Sequence, residues 1–124
     1  MILGIGTDII DIRRIKHNLE LNPRFAERIF TAREIEYCQS RASSHCSFAV
    51  RFAAKEAVMK ALGTGWDGKV NWIDIEILNS ESGTPAVFVY NYTKELMDQK
   101  RVIQIHISLS HEKDYATAMA ILEG

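Results

Sequence analysis

Alanine stands at every fourth position from residue 49 to residue 61 (Ala49, Ala53, Ala57, Ala61). On an α-helix, residues four apart lie above one another on one face, so these methyls form a smooth stripe. Such a stripe permits close contact between the helix and a sheet. The sequence predicts this helix over residues 45–62, with Ser43 and Ser44 as capping hydroxyls before it and Gly63 as the stop after it. The row beside the alanines is Val50, Ala54, Val58, Leu62, and another is Ser47, Arg51, Lys55, Met59. The remaining row, Phe48, Phe52, Glu56, Lys60, is the unusual one, because two phenylalanines lead directly to a carboxylate.

The first nine residues, MILGIGTDI, alternate Leu3 and Ile5 with Gly4 and Gly6, as in a short strand over which another backbone passes closely. Asp8 closes that strand. Ile9, Ile12, Ile15 and Leu19 then recur in steps of three and four, an amphipathic helix with Arg13, Arg14 and Lys16 off its apolar stripe. Pro23 ends or restarts it, and a second basic helical piece leads to Thr31 and Glu34, a capping box for a helix over residues 32–40.

Beyond the long helix, GTGWDGK at 63–69 reads as a loop. Residues 72–78 alternate strictly, placing Trp72, Asp74, Glu76 and Leu78 on one strand face and Ile73, Ile75 and Ile77 on the other. A turn leads to the strand AVFVY, residues 92–100 read as a short polar helix, and two final strands, VIQIHISLSH and YATAMAIL, flank a tight turn. Ile103, Ile105, Ile107 and Leu109 form the apolar face of the first of these, with His111 just past its end. The order of elements predicts one α+β domain over residues 1–124, a mostly antiparallel sheet packed against one long helix.

At 124 residues, 47% hydrophobic and 25% charged, such a domain can build one core but has little room to enclose a substrate. A cleft shared between subunits would overcome that limit. Cys38 and Cys46 lack metal-ligand or disulfide-framework spacing and read as reduced thiols. No apolar run reaches the roughly 18 residues of a membrane span, and no signal pattern opens the chain, so a cytoplasmic protein without a membrane partner is expected. Net charge is −1, yet residues 13–33 carry six basic side chains against two acidic ones. That asymmetry suits a solvated helix surface or an acidic partner.

Glu56 and Lys60, four residues apart, have the spacing of a helix salt bridge worth about 0.2–0.5 kcal/mol. The alternative is a ligand site, since Arg51 and Lys55 crowd the same stretch beside a glycine-rich turn, a setting that suits phosphate. Asp8 is either a helix cap or, if the long helix crosses its strand end, a metal ligand. Hard cations such as Mg²⁺ take one or two protein carboxylates and complete their shell with water and phosphate oxygens. His106 reads as an ordinary polar-face residue and His111 as a candidate for holding an anion. The chain has no Walker loop and no G-x-S-x-G.

Taken together, GIGTDIIDIRRI at 4–15, RFAERIFTAREI at 24–35, RFAAKEAVMKALGTG at 51–65, DIEI at 74–77, GTPAV at 83–87 and HISLSHEKDYATA at 106–118 resemble the holo-acyl-carrier-protein synthases. These are the short, single-domain 4′-phosphopantetheinyl transferases, and the fragments follow that family's order from end to end of the chain. The resemblance implies the 4′-phosphopantetheinyl transferase fold. It implies transfer of phosphopantetheine from coenzyme A to a serine of apo acyl carrier protein, as in fatty acid biosynthesis, with release of adenosine 3′,5′-bisphosphate.

By the same resemblance, Asp8 and Glu56 are the Mg²⁺ ligands, and Lys60 lies along the pyrophosphate. An ordered water on the metal, or Glu56 itself, takes the serine proton. Arg51, Gly63, Gly65 and His111 contact coenzyme A, the co-substrate. Arg14, Arg24, Phe25 and Arg28 dock the acidic carrier. The family's arrangement implies a homotrimer with cofactor sites at subunit boundaries. The competing expectation is a non-catalytic oligomeric module that binds an acidic protein through the basic helices. Nucleic-acid binding is disfavoured by a pI near 6.4 and by the lack of a recognition motif.

Overall fold

The computed structural model describes residues 1–64 and 69–124. Strand β1 (Ile2–Asp11) leads into helices α1 (Ile12–Leu21), α2 (Phe25–Ile29), α3 (Ala32–Ser40) and the long α4 (Ser44–Leu62). A 3₁₀ turn (Trp72–Asp74) opens the hairpin β2 (Ile75–Asn79) and β3 (Pro85–Val89). After α5 (Asn91–Gln99), the chain closes with the hairpin β4 (Gln104–Glu112) and β5 (Tyr115–Glu123). Both sheets are antiparallel: β1-β5-β4, with β5 central, and the pair β2-β3. This is the expected α+β arrangement.

The alanine stripe sets how α4 meets the sheet. Ala49, Ala53 and Ala57 are fully buried, and three inward side chains of β5 are themselves small, Ala116, Ala118 and Ala120. Gly4 and Gly6 of β1 complete the contact, because a Cβ on Gly4 would lie 2.2 Å from the Ala61 carbonyl oxygen and one on Gly6 would lie 2.0 Å from that of Ala57. Strand and helix backbones thus touch. Two strand residues advance about 6.6 Å and one helical turn about 5.4 Å. The Gly4–Ala61 and Gly6–Ala57 pairs therefore bring the next inward residue, Asp8, level with the turn that carries Glu56.

Two apolar clusters flank α4. One joins Val58 and Leu62 to Ile75, Ile77, Val102, Ile105 and Leu122, and the other joins Phe48 and Ala49 to Ile12, Ile15, Ile29 and Phe30. The rings of Phe30 and Phe48 lie 4.9 Å apart. The outer face of the three-stranded sheet is different: Ile5, Ile9, Tyr115 and Met119 stand exposed there.

Local patterning misplaced several boundaries. β1 does not close at Asp8; it runs to Asp11, because pairing with β5 continues to Asp11↔Tyr115. The cap of α1 is consequently Asp11, whose carboxylate accepts from the Arg13 backbone N–H at 2.9 Å, and Asp8 is free of that duty. Ser43 precedes α4 without a side-chain capping bond. Trp72–Asp74 is a 3₁₀ turn rather than strand, which leaves Ile73 exposed. Ile103 is also exposed, and His111 lies within β4, paired with Ala116.

The capping box is present, but Glu34 has a second role. Both Glu34 and Lys55 are fully buried, with Lys55 Nζ 2.7 Å from Glu34 Oε1. The ammonium donates its other bonds to the carbonyls of Trp72 (3.0 Å) and Ile75 (2.5 Å), while Glu34 accepts from the backbone N–H groups of Thr31 and Ile77. Burial draws the Lys55 pKa down, and Glu34 opposes that pull. The pair ties α3 and α4 to the edge of β2. Lys55 is therefore not one of the cations available to a phosphate.

Candidate active site

Asp8 lies on the inward face of β1 with its side chain nine-tenths buried. Its Oδ1 accepts from Lys60 Nζ at 3.0 Å, and its Oδ2 is buried with no hydrogen-bond partner among the described residues. Lys60 also donates to the Thr7 carbonyl at 3.0 Å. The Glu56–Lys60 pair that spacing allows is thus replaced by a bond across to the strand.

Glu56 faces Asp8 in turn. Burial first, then hydrogen bonding and repulsion from Asp8, push its carboxyl up to about 7, against the opposing pull of Lys60 and Arg14. Two adjoining carboxylates, one with a buried unpartnered oxygen, are short of positive charge. A hard divalent cation meets that need. Among the described residues no group of three or more His, Cys, Asp or Glu side chains converges. The pair would therefore hold such an ion with water and ligand oxygens completing its shell, as Mg²⁺ prefers.

A cleft of about 470 Å³ reaches Asp8 and Lys60 and is otherwise walled by residues that include Thr7, Ile9, Ser108, Ser110, Thr117 and Met119. Ser108 also lines a second cleft of about 540 Å³, whose walls include Tyr37, Arg41, Arg51, Asn79, Gly83 and His111. Arg51 is 3% exposed and held on three sides. It donates to Asn79 Oδ1 at 2.8 Å and to the Ser47 carbonyl at 3.3 Å, and its Cζ lies 4.3 Å over the Tyr37 ring. Its Nε is buried without a partner among the described residues. A planar cation so fixed, beside His111 and with Arg41 also over Tyr37, suits an anionic ligand.

The fold thus brings Asp8, Glu56 and Lys60 together and places Arg51 with His111 in the adjoining cleft. Gly63 is the left-handed cap of α4 (φ 74°), exposed beside the site; Gly65 lies outside the described residues. Arg14, Arg24 and Arg28 are exposed on the α1–α2 surface, with Phe25 partly buried against the second apolar cluster. Arg14, on that surface, is near enough to Glu56 to oppose the rise in its pKa. Tyr37, Arg41 and Asn79 were not anticipated. The four-residue spacing of Tyr37 and Arg41 near the end of a helix was the available signal for two of them.

The profile of the 4′-phosphopantetheinyl transferase superfamily matches residues 4–120. A holo-acyl-carrier-protein synthase of Clostridium tetani is 46% identical over 124 residues, covering 100% of this chain and 98% of that protein. The crystal structure of the Neisseria meningitidis holo-acyl-carrier-protein synthase superposes with a TM-score of 0.90 at 34% identity and full coverage of both chains. The Helicobacter pylori enzyme, solved in complex with coenzyme A, gives a TM-score of 0.83 at 32% identity, covering 96% of this chain and 99% of that one. Likeness this complete in sequence and in fold leaves one assignment: the chain belongs to the 4′-phosphopantetheinyl transferase superfamily, among the holo-acyl-carrier-protein synthases.

Proposed function

We propose that this protein transfers 4′-phosphopantetheine from coenzyme A to a serine of apo acyl carrier protein and releases adenosine 3′,5′-bisphosphate, with Mg²⁺ held by Asp8 and Glu56. The observation that carries the site assignment is Asp8 itself: its Oδ2 is buried with no partner among the described residues, it adjoins a second carboxylate, Glu56, and it lines a cleft that shares Ser108 with the cleft of Arg51 and His111. Bound there, Mg²⁺ supplies Lewis-acid neutralisation of the pyrophosphate, an effect worth several kcal/mol in the transition state.

The chain's own residues divide the remaining work. Arg51 and His111, in the second cleft, hold the nucleotide end, with Tyr37 and Arg41 as further walls. Lys60 lies along the pyrophosphate, and Gly63, with Gly65, lets the nucleotide approach the backbone. The incoming serine oxygen forms its bond to phosphorus, giving its proton to water or to Glu56, as the bond to the departing bisphosphate breaks. The serine is supplied by the carrier, whose acidic surface pairs with Arg14, Arg24 and Arg28 around Phe25. Arg14 bordering Glu56 supports this placement, since docking there sets the serine beside the carboxylate pair.

A homotrimer with active sites at the subunit boundaries is part of the reading. It is supported by the apolar outer face of the three-stranded sheet, where Ile5, Ile9 and Met119 are left exposed by the described residues. The described residues include no helix long and apolar enough to cross a membrane. The test is to incubate the protein with apo carrier, coenzyme A and Mg²⁺, weigh the carrier and assay the bisphosphate. One phosphopantetheine group gained for each bisphosphate released is expected; a carrier of unchanged mass would reject the proposal.

A further inference from the structure

Lys60 and a divalent cation seek the same atoms. The ammonium sits 3.0 Å from Asp8 Oδ1 and 3.0 Å from the Thr7 carbonyl, on the carboxylate whose other oxygen is buried and unpartnered. A cation held by Asp8 and Glu56 would share Asp8 with that positive charge, and like charges on one carboxylate repel even at a partly solvated site. The two ends of the ion pair differ in freedom: the Asp8 side chain is 9% exposed and the Lys60 side chain 55%. The carboxylate is therefore the fixed member and the ammonium the movable one, on a flexible four-carbon stem.

We propose that Lys60 is a tethered competitor for the cation at Asp8. It opposes cation binding to the protein alone, and it yields Asp8 to the cation when a pyrophosphate-bearing ligand offers it other oxygens. This inference rests on the cation reading of Asp8 and Glu56 and adds a sign to it. Lys60 works against the metal and for the anionic ligand, so the two bind with positive coupling through one side chain. Had Lys60 paired with Glu56 along the helix, as spacing allows, it would neutralise Glu56 and leave Asp8 Oδ1 open. The observed bond instead gives the positive charge to Asp8 and leaves Glu56 without an ion pair among the described residues.

The test uses Mn²⁺ alone as the probe, titrated calorimetrically into wild type, Lys60→Met, Lys60→Arg and Asp8→Asn, with no coenzyme A present. The exposure of Lys60 leaves its variants free to fold. Lys60→Met is expected to bind Mn²⁺ about two- to fivefold more tightly than wild type, the range that exposed ion pairs span. Lys60→Arg is expected to match wild type, and Asp8→Asn to bind at least tenfold more weakly. In a chelator-containing buffer, Lys60→Met is expected to bind coenzyme A more weakly than wild type, the opposite sign. Equal or weaker Mn²⁺ binding by Lys60→Met, with wild type binding and Asp8→Asn impaired, overturns the competitor role alone. No saturable Mn²⁺ binding by wild type, or no loss in Asp8→Asn, overturns the cation reading and the inference with it.

Discussion

Replacing Gly6 with alanine should damage both the fold and the site, for one steric reason. The added Cβ would lie 2.0 Å from the Ala57 carbonyl oxygen and 2.8 Å from the Ala61 nitrogen, both of them backbone atoms that no rotamer change can move. Ordinary van der Waals contact begins near 3.4 Å, so α4 and β1 must separate by about 1.4 Å. A gap of 0.5–1 Å already forfeits roughly a quarter to a half of each dispersion contact along the seam. The cost should therefore reach or exceed the upper end of the overpacking range, about 3 kcal/mol. Against a total stability on the order of 5–15 kcal/mol, that is a large fraction. Gly6 is not among the glycines with positive φ, so backbone strain does not confound the experiment. Urea denaturation of Gly6→Ala and wild type measures the loss. Mn²⁺ titration of the folded variant should show weakened binding although Asp8 and Glu56 are intact, because the helix has lifted one carboxylate from the other. A destabilisation below about 1 kcal/mol with unchanged Mn²⁺ affinity would refute the close-approach account.

Other perturbations probe separate parts of the structure. The Glu56 carboxyl is raised to about 7 from 4.5, so the native state holds its proton more tightly than the unfolded chain. This group's contribution to stability is full below pH 4.5 and is lost as pH rises through about 7. Urea midpoints taken from pH 5 to 8 should fall less steeply in Asp8→Asn than in wild type, since Asp8 is part of the cause. Lys55→Met strands Glu34 as a buried charge and should cost about 3–5 kcal/mol in denaturant, with much of it recovered in Glu34→Gln/Lys55→Met. Arg51→Ala should raise KM for coenzyme A without raising that for the carrier. Arg14→Glu should do the reverse, and steady-state kinetics with each substrate varied in turn separates the two.

Much of the fold was legible because its strongest signals are local and periodic. The alanine row of α4, the alternating glycines of β1 and the Thr31–Glu34 box each encode geometry within a few residues. Asp8 and Glu56 were readable as a pair only through the family resemblance; spacing alone left a cap and a salt bridge open. The structure removes the cap, which belongs to Asp11, and sends Lys60 to Asp8 rather than Glu56. The failures are all non-local. β1 outruns its own pattern because β5 continues to pair with it, and Lys55 is buried because Glu34, 21 residues earlier, meets it in the core. The second cleft draws Tyr37, Arg51, Asn79 and His111 from four separate elements, so no window of sequence contains it.

The most direct test of the central claim weighs apo acyl carrier protein after incubation with coenzyme A, Mg²⁺ and either wild type, Asp8→Asn or Glu56→Gln, each variant first shown to be folded. Wild type should convert the carrier by the mass of one phosphopantetheine group, and the two variants should leave it unmodified over the same interval. An unmodified carrier with wild type would contradict the transfer itself, and conversion at the wild-type rate by either variant would contradict the role of the carboxylate pair.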